Sequence, residues 1–129
     1  MDNKTLGQQG EDIAAQYLKE KGYRILARNF RYKAFGELDI VAEKRGKIIF
    51  AEVKTLRLAL LAQGKPFQPE DQITLKKEKQ LRKMAQIFLS ANHLPLDTPH
   101  QIDIIAVEID GVGNVSDIRR HENAIEDAY

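Results

Sequence analysis

The spacing of apolar residues predicts two helices. Residues 6–21 have apolar positions at helical intervals and end at Gly22, a residue that commonly terminates helices. Residues 73–91 repeat the pattern, with one apolar face formed by Leu81, Met84, Ala85 and Phe88.

Five further segments predict strands, because they alternate or are rich in large apolar residues: 23–31, 37–43, 47–55, 102–109 and 115–118. A short element is expected after the last of them. Residues 56–72 contain Gly64, Pro66 and Pro69, which predict a long surface loop after any short extension of the preceding strand. The order of elements predicts an α/β fold.

The segment ELDIVAEKRGKIIFAEVK, residues 37–54, predicts a hairpin with charges where a buried strand usually has none. A turn of two residues at Arg45 and Gly46, or of four at 44–47, gives one register. It places two charged pairs on one face: Asp39 opposite Glu52 and Glu37 opposite Lys54. The other face then carries Leu38, Ile40, Ala51 and Val53.

The predicted Asp39–Glu52 pair indicates a metal site. Directly opposed residues have Cβ atoms about 5 Å apart, so two carboxylates there repel unless a cation lies between them. Mg²⁺ suits such a pair, since it takes one or two carboxylates and keeps several waters. Lys54 projects toward the same space. A metal beside an ammonium group can activate water and offset charge on a phosphodiester, which predicts metal-dependent phosphodiester hydrolysis.

A second interpretation of the same charges stays open from the spacing alone. They can form a solvated outer face, with Glu37 and Lys54 as an ordinary cross-strand ion pair. A turn of three or five residues would also change the register.

Composition narrows the class of protein. A chain of 129 residues predicts a single domain spanning 1–129. It has no apolar run of roughly 18 residues, and its start lacks the features of a secretion signal, so we expect a cytoplasmic protein. The absence of cysteine excludes disulfides and thiolate metal sites. The formal net charge of +1 means that any nucleic-acid role depends on local patches.

Several segments in order resemble one protein family: GQQGEDIAAQYLKEKGYRILARNFRYKAFGELDIVA, IIFAEVKT, KQLRKMAQIFL, IDIIAV and HENAI. The similarity runs through residues 7–125. The chain resembles the YraN-like family of small bacterial proteins, which belongs to the PD-(D/E)XK, or restriction-endonuclease-like, nuclease superfamily.

This resemblance implies a restriction-endonuclease-like α-β-β-β-α-β core with a central mixed sheet flanked by helices. By position it implies that Asp39 and Glu52 are ligands of Mg²⁺ or Mn²⁺, that the backbone carbonyl of Val53 helps to hold the metal, and that Lys54 is the catalytic lysine. An acidic residue on the first helix commonly joins such sites, and Glu11 matches it.

Glu11 has two interpretations from the sequence itself. It shares a helical face with Ala14 and Leu18, which predicts that it points inward. The alternative is an acid in the first helical turn, where it interacts favourably with the helix dipole. The resemblance favours a role in the site.

The chain departs from the family pattern at two places. Leu56 stands where a basic residue usually follows the EVK lysine, and Arg57 comes next. Gln101 and Ile102 stand where the family often has an arginine and an aromatic residue, before Asp103, which matches the aspartate of that pattern. Both changes put family-typical substrate contacts in doubt.

Polar residues on the second helix are candidates for phosphate contacts, together with Arg57: Lys76, Lys79, Gln80 and Lys83. Such contacts position nucleic acid without reading its sequence. A solvated helix face explains the same residues. His93, His100 and His121 lack paired ligand spacing, so we expect surface histidines in loops or near the end, and no zinc site.

The sequence therefore predicts a metal-dependent endonuclease-like enzyme acting on DNA, with single-stranded or branched repair intermediates suggested by analogy. The alternative is a nucleic-acid-binding or protein-interaction module that keeps the fold without hydrolysis. No membrane partner is expected, and related nucleases suggest a homodimer.

Overall fold

Across residues 4–57 and 73–125, the computed structural model forms a five-stranded mixed sheet with a helix on each face. The elements are α1 Leu6–Glu20, β1 Arg24–Arg31, β2 Glu37–Lys44, β3 Lys47–Arg57, α2 Leu75–Ala91, β4 His100–Ile109 and β5 Val115–His121. The strand order is β1-β2-β3-β4-β5, and only β3 and β4 run parallel. The predicted α-β-β-β-α-β core is confirmed, and β5 adds an edge strand.

Several predicted boundaries are wrong by a few residues. Strand β3 has the short extension that the sequence allowed, through Leu56 to Arg57, because the parallel ladder with β4 continues to the Arg57–Ile109 pair. The remainder of the predicted loop, 58–72, lies outside the described residues. Helix α2 begins at Leu75, since Thr74 caps it by accepting a 3.1 Å hydrogen bond from the backbone of Lys77. Strand β5 continues past Ile118 to His121.

The hairpin of β2 and β3 has the predicted register. Arg45 and Gly46 have φ angles of 53° and 80°, which are typical of a two-residue type I′ turn. Lys44 therefore pairs with Lys47, and the ladder continues to the pair Ile40–Ala51. Beyond this pair no further β2–β3 ladder pairing is present, so the two strands separate just before Asp39 and Glu52.

The two faces of the sheet form separate cores. Helix α2 packs on a face that contains Ile48, Phe50 and Ile104, while α1 packs on the opposite face against Ile40, Ile49 and Ile105. Leu38 was predicted to share the face of Ile40, but it packs with α2. The β2–β3 ladder ends between these two residues, so simple alternation does not continue through them.

Gly10 brings α1 unusually close to β3. A Cβ atom at this position would lie 1.8 Å from Thr55 Oγ1 and 2.8 Å from Thr55 Cβ. Only glycine therefore permits this approach. The contact holds the first half of α1 against β3 at Thr55.

A buried ion pair joins β4 to the end of the described chain. Asp103 is fully buried and accepts hydrogen bonds of 2.9 Å from the Arg120 guanidinium and from the backbone of Asn123. Gln101 donates a further hydrogen bond of 2.8 Å to the same carboxylate. Arg120 also bonds the hydroxyl of Tyr23 at 2.9 Å. Gln101 and Asp103 therefore have structural partners here, and the HENAI segment anchors the edge of the sheet.

Candidate active site

The gap between β2 and β3 is bridged by a side chain. Asp39 Oδ2 accepts a 2.8 Å hydrogen bond from the backbone N–H of Val53. This bond replaces the ladder pairing that ends one residue earlier, at Ile40. It turns the Asp39 carboxyl toward β3 and fixes it beside Glu52.

Asp39 and Glu52 converge as the hairpin register predicts. Burial raises the pKa of Asp39 to about 9, and a hydrogen bond and charge repulsion from Glu52 add to that rise. The Val53 N–H opposes the rise in this pKa, whereas the charge of Glu11 adds to it. Without a cation, burial and the neighbouring Glu52 therefore disfavour the charged form of Asp39.

Glu52 is the more deeply buried acid of the pair, with 5% of its surface exposed. Its Oε2 atom has no hydrogen-bond donor among the described residues. The Lys77 ammonium lies 3.1 Å from this oxygen, but that contact lacks hydrogen-bond geometry. The Lys77 ammonium therefore offsets the negative charge of this oxygen, but no donor uses its hydrogen-bonding capacity. An oxygen of this kind is suited to be the ligand of a cation.

Lys77 is a site residue that the sequence analysis missed. It lies in the first turn of α2, the helix of the crossover between the parallel strands β3 and β4. No spacing in the sequence links it to Glu52.

Glu11 reaches the site through Asn29. The Asn29 amide donates hydrogen bonds of 2.8 Å to Glu11 Oε1 and 2.7 Å to Glu37 Oε1. The first-turn alternative for Glu11 is wrong, because Thr5 and Gln8 form the capping box and Glu11 lies further along the helix. Asn29 was also missed; it has a φ of 52° inside β1, a conformation that asparagine tolerates.

The predicted pair of Glu37 and Lys54 is wrong. Glu37 Oε2 lies 3.0 Å from the Arg31 guanidinium, and its other oxygen accepts the bond from Asn29. Glu37, at the start of β2, is therefore paired with residues of β1 and not with Lys54.

Lys54 lies on the same face of β3 as Glu52. Both continue the alternation of Ile48 and Phe50, which face α2. Lys54 is half-buried, and within residues 4–57 and 73–125 its side chain forms no hydrogen bond or ion pair. Its ammonium group is available to a ligand beside the two carboxyl groups.

The other predicted nucleic-acid residues do not join the carboxyl pair. Lys76 and Lys79 are exposed on α2, and Arg57 lies half-buried at the end of β3. Gln80 donates a 2.8 Å hydrogen bond to the carbonyl of Phe35, and the Lys83 ammonium lies 4.3 Å from the Phe35 ring. These last two residues contact the turn between β1 and β2.

A polar cleft of about 360 Å³ lies between that turn and α2. Lys77 lines this cleft and also contacts Glu52. Its lining residues are Arg31, Lys33, Ala34, Gly36, Glu37, Lys77 and Gln80.

The histidines are not arranged as ligands. His100 and His121 lie in strands and not in loops, and the His100 ring packs against Phe50 at 5.7 Å. In the described ranges, no group of three or more histidine, aspartate or glutamate side chains is arranged to bind a metal ion.

Fold and site together define an α/β protein with a carboxyl pair where two strands of its sheet separate. The chain belongs to the family described as Uncharacterised protein family UPF0102, whose model matches residues 10–107. It is 42% identical over 130 residues to a UPF0102 protein of Pelobacter propionicus, covering 99% of this chain and 87% of that protein. A UPF0102 protein of Roseiflexus castenholzii is 38% identical over 124 residues, with 95% and 94% covered. None of the described helices is long and apolar enough to cross a membrane.

Proposed function

We propose that this protein is a metal-dependent nuclease that hydrolyses phosphodiester bonds in DNA, including single-stranded or branched repair intermediates. The observation that carries the proposal is the convergence of Asp39 and Glu52 in a buried gap of the sheet. Their proximity and burial raise the pKa of Asp39 to about 9. A divalent cation would stabilise the ionised form of such a pair.

The residues present fit Mg²⁺ or Mn²⁺. Asp39 and Glu52 supply hard oxygen ligands, and Glu52 Oε2 is buried without a hydrogen-bond donor among the described residues. With the Val53 carbonyl they would hold the ion, and Glu11 would add negative charge close by. Two carboxylates suffice, because Mg²⁺ keeps several waters. When bound, the ion lowers the pKa of a coordinated water and offsets charge on the phosphate.

Two lysines would have different roles. Lys54 has no ionic partner in the described part of the chain, so its ammonium is free to bind a phosphate oxygen and position the attacking water. Lys77 already faces Glu52 and would lower the repulsion between the two acids and an approaching phosphate.

Cleavage of labelled DNA tests the proposal. The protein is incubated with single-stranded, duplex and four-way-junction DNA in Mg²⁺, Mn²⁺ or EDTA. We expect cleavage that requires the metal and falls at least about 100-fold in Asp39→Ala and Lys54→Ala. Lys19→Ala, which changes an exposed lysine on α1, serves as the control and keeps most of the activity. Absence of cleavage on all three substrates, or its survival in both site variants, contradicts the proposal.

A non-catalytic nucleic-acid-binding or protein-interaction module is the second candidate. The Lys77–Glu52 contact favours it, because an ammonium group balances the charge of the buried acid without any metal. For this candidate, DNA binding would persist in EDTA and no cleavage would occur with either metal.

A further inference from the structure

The turn between β1 and β2 presents two aromatic rings to solvent. Tyr32 is 37% exposed and Phe35 is 43% exposed. Their rings are nearly parallel, with an interplanar angle of 16° and centroids 6.1 Å apart. Exposed aromatic faces of this kind are the surfaces on which unpaired bases stack.

Cations accompany both rings. The Lys33 ammonium lies 5.3 Å from the Tyr32 centroid, and that of Lys83 lies 4.3 Å from the Phe35 centroid. Both lysines are exposed, so their ammonium groups can move to a phosphate when a base takes the ring face. A site for a protein partner would more often be depleted in lysine.

The turn is held in place against α2. Gln80 donates its 2.8 Å hydrogen bond to the Phe35 carbonyl, and a Cβ at Gly36 would lie 2.6 Å from the Gln80 side chain. Gly36 also has a φ of 144°. The aromatic pair is therefore presented by a turn that is fixed to the helix, which lowers the entropy lost on binding.

The polar cleft lies between this turn and Lys77, the residue that contacts Glu52. Arg31 and Lys33 line it together with Lys77. The one acid in its lining, Glu37, already faces the Arg31 guanidinium at 3.0 Å. A nucleic-acid strand in the cleft would have cations for its phosphates and aromatic rings for a base.

We infer that residues 32–36 and the polar cleft bind an unpaired nucleotide of a DNA strand next to the bond to be cleaved. This inference rests on the proposed nuclease function and assigns its substrate class: DNA with unpaired bases close to the cleavage position. Duplex DNA offers its phosphates but keeps its base faces stacked internally, so it cannot use the aromatic rings.

Binding in EDTA tests the inference without any cleavage. Fluorescence anisotropy measures the affinity of the full chain for a short labelled oligothymidylate and for a duplex of equal length. We expect Phe35→Ala to weaken single-strand binding roughly 5- to 150-fold, and to change duplex binding less than about twofold. Phe35→Trp should restore the single-strand affinity.

Two further variants separate stacking from general effects. Phe35→Leu keeps an apolar side chain without an aromatic face, so it should bind as weakly as Phe35→Ala. Val112→Ala alters an exposed apolar residue in the turn between β4 and β5, at the opposite edge of the sheet, and should leave both affinities unchanged. Full single-strand affinity in Phe35→Leu, or equal losses on both ligands, would overturn the inference.

The same experiment separates this inference from the proposed function. Aromatic-dependent single-strand binding without cleavage would refute the nuclease proposal alone. Metal-dependent cleavage with no effect of Phe35→Ala on binding would refute the inference alone.

Discussion

Lys77 Nζ lies 3.1 Å from Glu52 Oε2, so helix α2 supplies the positive charge nearest to an acid buried in β3. Glu52 lies in β3, and Lys77 lies in α2, the helix of the crossover that follows β3. This contact ties the position of the helix to the electrostatics of the proposed metal pair.

Replacing Lys77 should destabilise the metal-free protein. Lys77→Met leaves Glu52 buried without a nearby cation, and we expect the free energy of unfolding to fall by about 1–3 kcal/mol. Urea denaturation in EDTA measures the change. Lys76→Met, at an exposed neighbouring position, is the matched control and should stay within about 0.5 kcal/mol of the parent. If Glu52→Gln does not recover stability in the Lys77→Met background, the electrostatic explanation fails.

The stability of the metal-free protein should decrease with rising pH because of Asp39. Its pKa is raised from 3.8 to about 9, chiefly by burial, so the folded state favours the protonated form. The stabilising contribution is complete below pH 3.8 and is lost as pH rises toward 9. Asp39→Asn imitates the neutral side chain, so it should raise the melting temperature at pH 8 more than at pH 5. Equal shifts at the two pH values would argue against a protonated Asp39.

Binding of a divalent metal ion should restore the stability that the metal-free protein loses as pH rises. At an ion concentration about 100 times the dissociation constant, binding stabilises the folded state by about 2.7 kcal/mol. Thermal unfolding at pH 8 with Mn²⁺ or EDTA measures the effect, which Asp39→Asn should abolish. Asp12→Asn changes an acid on α1 that is paired with Arg28, and should retain the full shift. A Mn²⁺ shift that persists in Asp39→Asn would place the bound ion elsewhere.

Replacement of two glycines of α1 by alanine should have opposite effects on stability. A Cβ at Gly10 would collide with Thr55, so Gly10→Ala should lower the free energy of unfolding by about 1–3 kcal/mol. A Cβ at Gly7 has nothing nearer than Thr5 Oγ1 at 4.0 Å, so Gly7→Ala should stabilise by about 0.5–1 kcal/mol. Chemical denaturation measures the free energy of unfolding of both variants and of the parent. Thr55→Gly removes the colliding atoms, and failure to recover part of the Gly10→Ala loss would exclude steric contact as its cause.

The register of the hairpin was predictable because its turn is short. The sequence Arg45-Gly46 suits a two-residue turn, and such a turn fixes which residues of the two strands lie opposite each other. The meeting of Asp39 and Glu52 follows from this local information. The order of helices and strands was likewise predictable from the spacing of the apolar residues.

Contacts between distant elements were not predictable in the same way. Lys77 could not be assigned to Glu52 from spacing alone, because the position of α2 depends on packing between Phe88 and the sheet. The partner of Glu37 was mistaken because the β2–β3 ladder ends at Ile40 and Asn29 has a positive φ. Neither irregularity changes the alternation of apolar and polar residues.

The short turn at Arg45 and Gly46 also bears on the order of folding. Asp39, Glu52 and Lys54 belong to one local hairpin, whose closure costs little chain entropy. Parallel pairing of β3 with β4 must wait for the crossover through α2, which carries Lys77. We therefore expect the two acids to meet before their neutralising lysine arrives. Native-state hydrogen exchange can test this sequence of events, because the hairpin amides should remain protected when α2 opens.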